Sequence, residues 1–289
     1  MTETIRITTL VDNTSNHPTL LAEHGLAFWI EYGPHKILFD TGASHIIQAN
    51  AMMLGIDLPQ TEAVILSHGH YDHTGGMMRV LDNAPAAKVY LHPEAVKPKF
   101  SCRDNQPCRS IGMPALTSLH LRENNLKSDI QWTTEPREIF PGLWVTGVIR
   151  RITDYEDVGG PFFLDALRSE PDPLLDDQAL FFESKLGLVV ILGCAHAGVV
   201  NTLHHIMDLT RQERVHAVLG GMHLDSASPK RIARTLEAFR IHKVAHIGPA
   251  HCTGTKANAQ LWNTFPDRCF SCSVGTKMEF HQNKPARIL

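Results

Sequence analysis

The sequence predicts an α/β domain or a layered αββα one. Three observations carry this: short β-branched apolar runs that end in Gly or His, helix-like stretches between them, and histidines at the same end of four such runs. Ile37-Leu38-Phe39 runs into Asp40-Thr41-Gly42, and Val64-Ile65-Leu66 into Ser67-His68. The runs 188–192, 215–219 and 244–247 lead to His196, His223 and His251. Apolar runs bounded by glycine read as buried strands. Helices are expected over 74–83, 199–214 and 229–242, the last opening with Ser228-Pro229, an N-cap followed by a first-turn proline. Strands alternating with helices give an α/β domain whose loops at one sheet edge build the site.

The 289 residues suit one domain over 1–289. Residues 97–176 break the pattern. They are rich in Pro, Gly, Arg and Asp, and read as an irregular insertion or lid. A net charge of −3 favours neither nucleic acid nor an anionic membrane as partner, and leaves a small-molecule substrate. The N-terminus lacks a basic, then apolar leader, and no apolar run would span a bilayer, so a cytoplasmic protein is expected. The six cysteines are accordingly read as thiols. Cys269 and Cys272, like Cys102 and Cys108, lack the spacing of a zinc ribbon and read as structural or incidental, and Cys194 and Cys252, which flank predicted ligands, as small buried packing with direct metal ligation the alternative.

The densest chemistry is Ser67-His68-Gly69-His70-Tyr71-Asp72-His73-Thr74-Gly75-Gly76. Three imidazoles and a carboxylate in six residues are ligands of the kind that hold zinc-like ions. In an extended loop His68 and His70 point the same way and can share one ion. Asp72 and His73 follow where the chain turns and can face a second. Gly69 lets the loop turn closely, and Gly75 and Gly76 let the next helix start tight against it.

With Phe39-Asp40-Thr41-Gly42, His196 in Gly193-Cys194-Ala195-His196 and His251 in Pro249-Ala250-His251, this motif resembles the metallo-β-lactamase superfamily. The resemblance implies a four-layer sandwich and one or two divalent ions, zinc or else manganese or iron. It implies that His68, His70 and His196 hold one ion and Asp72, His73 and His251 the other, with Asp40 supporting them. The superfamily usually carries a bridging Asp between its last two His motifs, where this chain has His223, with Asp225 nearby. His223 is therefore expected in the site, as metal ligand or substrate contact, with a core histidine the alternative, and Asp72 and His223 are the catalytic candidates. Glu23 and His24 either line the pocket or sit on a surface loop. Arg103 and Arg109 are candidates to grip a phosphate or carboxylate, with solvent-facing roles the alternative.

Leu10-Val11-Asp12-Asn13, Asp177-Gln178-Ala179, Gly220-Gly221-Met222-His223-Leu224 and His251-Cys252-Thr253-Gly254 together resemble one subgroup, the 7,8-dihydropterin-6-methyl-4-(β-D-ribofuranosyl)aminobenzene-5′-phosphate synthase-like metallo-hydrolases. Two enzymatic readings follow. One is a hydrolase that uses metal-activated hydroxide on an ester, lactone or phosphoester. The other is a methanopterin-type transferase that condenses a dihydropterin diphosphate with a ribofuranosylaminobenzene phosphate. A third is a ligand-binding member of the fold without turnover.

Overall fold

The structure is a computed structural model that describes residues 4–123, 128–281 and 284–289. Two sheets face each other. In the first, the strand order is Lys284–Ile288, Lys277–His281, Thr4–Val11, Ala27–Tyr32, His35–Phe39, Ala63–Ile65, Lys88–Leu91 and Ile130–Trp132. In the second it is His246–Ala250, Val215–Gly221, Gly187–Leu192, Ala179–Ser184, Leu143–Val145 and Arg137–Phe140.

Alternation along the strands makes the layers. Ile37 and Phe39 point into the inter-sheet core with Val189 and Ile191. Leu38, between them, points outward to meet Ile47 and Ala51 of the helix Ile46–Met53 and Val80 of the helix Met77–Asn83. On the other side Leu188, Val190 and Leu192 meet Leu203 and Ile206 of Val199–Thr210, Phe239 of Pro229–Ile241 and Leu261 of Thr255–Thr264. Three apolar layers between four structural layers is the αββα sandwich that the resemblance implies. These strands are apolar on both faces because helices cover the outer ones.

Several boundaries differ from the expectation. The helix expected over 74–83 is two pieces, Tyr71–Thr74 and Met77–Asn83, broken at Gly75-Gly76. A Cβ on Gly75 would meet the Ala43 carbonyl oxygen at 2.0 Å. The pair therefore serves a close backbone approach at the cost of helix continuity. Val199–Thr210 stops four residues early, where Arg211 turns left-handed at φ 60°. In Pro229–Ile241 the Ser228 hydroxyl accepts from Arg231 N, the expected cap.

The stretch 97–176 is not one insertion. Ile130–Trp132 extends the first sheet, and Arg137–Phe140 with Leu143–Val145 closes the edge of the second. These strands are three or four residues long, too short to show a period. The parts flanking them do form a cover: Phe162–Phe163, Phe100–Ser101 and Arg109–Ser110 make a small third sheet. Residues 124–127 of the expected insertion lie outside the described residues. The reading of all six cysteines as thiols is also corrected, because Cys102 and Cys108 are joined by a disulfide. Register explains it. Phe100 faces Ser110 and Ser101 faces Arg109, so Cys102 and Cys108 are the next pair along the hairpin. No helix among the described residues is long and apolar enough to cross a membrane.

Candidate metal centre

The site lies where both sheets end. His68 to His73 follow Ala63–Ile65 of the first sheet, while His196, His223 and His251 follow Gly187–Leu192, Val215–Gly221 and His246–Ala250 of the second. The chain leaves these strands through strained turns. Asp40, Ala195, His223 and His251 all adopt left-handed backbone, at φ 62°, 54°, 45° and 48°. Non-glycine residues rarely do so, and such strain clusters at functional sites.

Three of the imidazoles are aimed by a partner on the far nitrogen. The His73 Nδ1–H donates to Asp40 Oδ2 at 2.7 Å. His196 Nδ1–H donates to the Val158 carbonyl at 2.8 Å, and His251 Nδ1–H to Asn13 Oδ1 at 2.8 Å. Carbonyl and carboxylate oxygens only accept, so each ring in its neutral form is protonated on Nδ1 and turns its Nε2 lone pair to the centre. The His73 and His251 Nε2 atoms lie 3.3 Å apart, and Asp72 Oδ2 is 3.2 Å from His251 Nε2. His68 Nε2 and His70 Nδ1 converge to 2.9 Å. The rings of His68, His70 and His196 have centroids 4.5 to 4.9 Å apart.

Burial sets the protonation. It pushes His68 and His196 well below the usual histidine value and His70 down to about 3. All three are neutral at pH 7, the form that binds metal. Burial also opposes charge on His73, but the Asp40 carboxylate outweighs it and lifts that ring to about 9. Asp72 is held well below its usual range. Burial works against its charge, and the hydrogen bonds of His24 and His251 overcome it.

A divalent ion fits these residues. His70 Nε2, His196 Nε2 and His223 Nδ1 are buried without a hydrogen-bond partner among the described residues. Buried polar atoms are rarely left so. Ligand atoms of His68, Cys194 and His196 lie within 4.8 Å of one another, as do those of His73, Cys194 and His251, and those of His24, Asp72 and His251. Such sets could hold a metal.

A family model of the metallo-beta-lactamase superfamily matches residues 21–204. The chain belongs to the metallo-beta-lactamase superfamily. A superfamily relative, the 7,8-dihydropterin-6-methyl-4-(beta-D-ribofuranosyl)-aminobenzene-5'-phosphate synthase of Methanocaldococcus jannaschii, is 28% identical over 96% of this chain and 97% of its own length. An uncharacterized protein of the same archaeon is 31% identical over 87% of this chain and 92% of its own. Among solved structures, a metal-dependent hydrolase of the superfamily superposes with a TM-score of 0.82 at 30% identity, covering 96% of this chain and 99% of the other.

The other expected superfamily features divide on inspection. Asp40 takes three donors, Ser67 N and Ser67 Oγ besides His73. His24 lies 3.1 Å from Asp72 Oδ2 and lines an open cavity of about 1300 Å³ above the centre. Arg103 and Arg109 line it too, with Arg109 over the Tyr71 ring at 5.8 Å. Glu23 does not line it. Its carboxylate accepts from Ala43 N, Ser44 N and Ser44 Oγ, so the expected pocket role gives way to bracing the Asp-Thr-Gly loop. His223 Nε2–H donates to the Gly159 carbonyl at 3.3 Å, and its ring centroid is 4.2 Å from that of His196. Asp225 lines the cavity and joins none of the ligand groups among the described residues.

Four supports escape a linear reading. Asn13 aims His251, and Asp12 Oδ1 accepts from His251 N at 2.8 Å, so the first strand's end carries part of the last motif. Phe162 packs edge-on against His196 at 5.4 Å. Asp176 accepts from Gly69 N at 2.7 Å and is paired with the buried Lys99. Cys194 Sγ sits 3.1 Å from His73 Nε2, in the site and not merely packing beside it. A polar pair closing a strand and a cysteine two residues before a ligand are the signals available in sequence.

Proposed function

We propose that this chain is a metal-dependent hydrolase of a small anionic molecule, an ester, lactone or phosphoester. One observation carries the reading: buried imidazoles from both sheets converge, with His68 Nε2 and His70 Nδ1 2.9 Å apart and the Nε2 atoms of His73 and His251 3.3 Å apart, beneath an open cavity that bears Arg103 and Arg109. A bound dication, zinc by ligand type with manganese or iron as alternatives, would polarise a substrate oxygen and make water acidic near neutral pH. His68, His70 and His196 would hold one ion, and Asp72, His73 and His251 a second.

The protein's own residues then do the rest. Asp40 fixes the His73 tautomer and ties it to Ser67, which holds the ligand loop in place. Arg103 and Arg109 bind the anionic group of the substrate by charge-assisted hydrogen bonds. Phe162 covers His70, His196 and His223 and limits water on that side. His223, held by Gly159, stands at the edge of the cavity as a ligand or substrate contact.

A second reading is supported by the near full-length match to the dihydropterin-dependent synthase. There the same ligands and arginines would seat a diphosphate while a carbon nucleophile replaces it. Isotope labelling separates the two. Metal-loaded protein is given an ester, lactone and phosphoester panel in ¹⁸O-water, and separately a dihydropterin diphosphate with ribofuranosylaminobenzene phosphate. A hydrolase puts ¹⁸O into its product. A synthase yields a coupled pterin product and unlabelled diphosphate. Turnover of neither set, with one metabolite tightly retained, would reject both in favour of a binding protein.

A further inference from the structure

Cys194 belongs to more of the centre than any residue of the ligand motifs. Its Sγ is within 4.8 Å of the ligand atoms of His68 and His196 on one side, and of His73 and His251 on the other. It also groups with His223 and Cys252. By contrast Asp72, the carboxylate of the main motif, groups with His24 and His251. Among the described residues no carboxylate groups with both histidine sets, since Asp40 lies behind His73 on its Nδ1 side and Asp225 joins neither set.

We propose that Cys194 is a thiolate ligand shared between the two ion positions, in the place where a bridging carboxylate would otherwise stand. The inference rests on the metal-centre reading above but on neither reaction. Charge favours it. Neutral imidazoles and one carboxylate leave two dications poorly balanced in a buried site, and a thiolate between them supplies the missing negative charge. On binding, the Cys194 S–H proton leaves to solvent and the sulfur lone pairs take the ions, so no redox partner is needed. The backbone places the sulfur deliberately. Gly193 precedes it where a Cβ would meet Ser67 Oγ at 2.0 Å, and Ala195 after it is left-handed, which turns Cys194 and His196 toward the same point. Cys252 lies 3.3 Å away, sulfur to sulfur, and its S–H can donate to the shared thiolate, as such second partners do for metal-bound sulfur. A sulfur ligand also biases the centre towards zinc or cobalt and away from manganese.

The test loads metal-free protein with cobalt(II) alone, under argon. Wild type is expected to show a thiolate-to-cobalt charge-transfer band in the near ultraviolet and to take up a second equivalent of cobalt. Cys194→Ser should lose the band, keep the weaker visible bands of imidazole-bound cobalt, and fail to retain the second equivalent through gel filtration. Cys252→Ser should keep the band. A wild-type protein that binds cobalt without the band overturns the proposal and needs no variant to fold. So does a band that survives in Cys194→Ser and vanishes in Cys252→Ser. Wild type that binds no cobalt removes the metal-centre reading itself.

Discussion

Asp40 shows how much one buried side chain can carry. Its two oxygens take three donors in a fully buried site, and one of them is the Nδ1–H of His73. Removing such a partner usually lowers metal affinity about 10- to 100-fold. Asp40→Asn is expected to do so in a chelator competition, while far-ultraviolet circular dichroism stays native. An unchanged affinity would show that His73 needs no orienting partner. His68→Ala and His196→Ala should abolish activity with the fold kept, and full activity in either refutes the ligand assignment. At the cavity mouth, Arg103→Ala and Arg109→Ala should each raise KM for an anionic substrate about tenfold, the loss of one charge-assisted hydrogen bond. Equal KM values for a neutral analogue in wild type and variants would complete that test.

Elements position these residues from outside the site. Lys99 is buried and donates to Asp172 and Asp176, each at 2.8 Å, while Asp176 accepts from the backbone between His68 and His70. The cover sheet is thereby tied to the ligand loop. Burial opposes the Lys99 charge, but the two carboxylates raise its pKa, and the ammonium lowers that of Asp176 against the same penalty. Asp176 folded lies below its ordinary 3.8, so its contribution is complete above 3.8 and is lost as pH falls through the folded value. Lys99 folded lies above 10.5, so its contribution is complete below 10.5 and is lost as pH rises through the folded value. Lys99→Met leaves two carboxylates buried without their cation, a loss of about 3–5 kcal/mol in urea unfolding at pH 7. A loss that stays the same at pH 3 as at pH 7 would mean the pair is not its source. Gly159 lets the cover approach the centre from the other side. It is left-handed at φ +86°, and a Cβ there would meet His223 Cδ2 at 2.0 Å, so only glycine lets the loop lie against that ring.

For the molecule as a whole, the centre joins the two sheets. Under the proposed assignment each ion would draw on both sheets, one on His68 and His70 with His196 and the other on Asp72 and His73 with His251. An ion that binds only the folded state stabilises it by about 2.7 kcal/mol at a hundredfold excess over its Kd. For a chain of this size that is a rise in Tm of roughly 4–5 °C. Chelation should remove the rise and zinc should restore it, in proportion to the logarithm of free metal. A Tm indifferent to both would argue against ligands drawn from both sheets.

Apolar runs that lead into Asp40, His68, His196, His223 and His251 made an α/β domain legible, and the resemblance carried by the motifs at their ends added the four-layer sandwich and the candidate ligands His68, His70, Asp72, His73, His196 and His251. That follows because strand burial and metal chemistry both act through local patterns that survive in a linear reading. The division of 97–176 between two sheet edges and a cover was decided only in three dimensions, since strands of three residues gain their identity from a neighbour's hydrogen bonds. The bracing role of Glu23, the Cys102–Cys108 link and the place of Cys194 were decided there too. Each depends on what a side chain meets across the fold, and distance through space leaves no trace in distance along the chain.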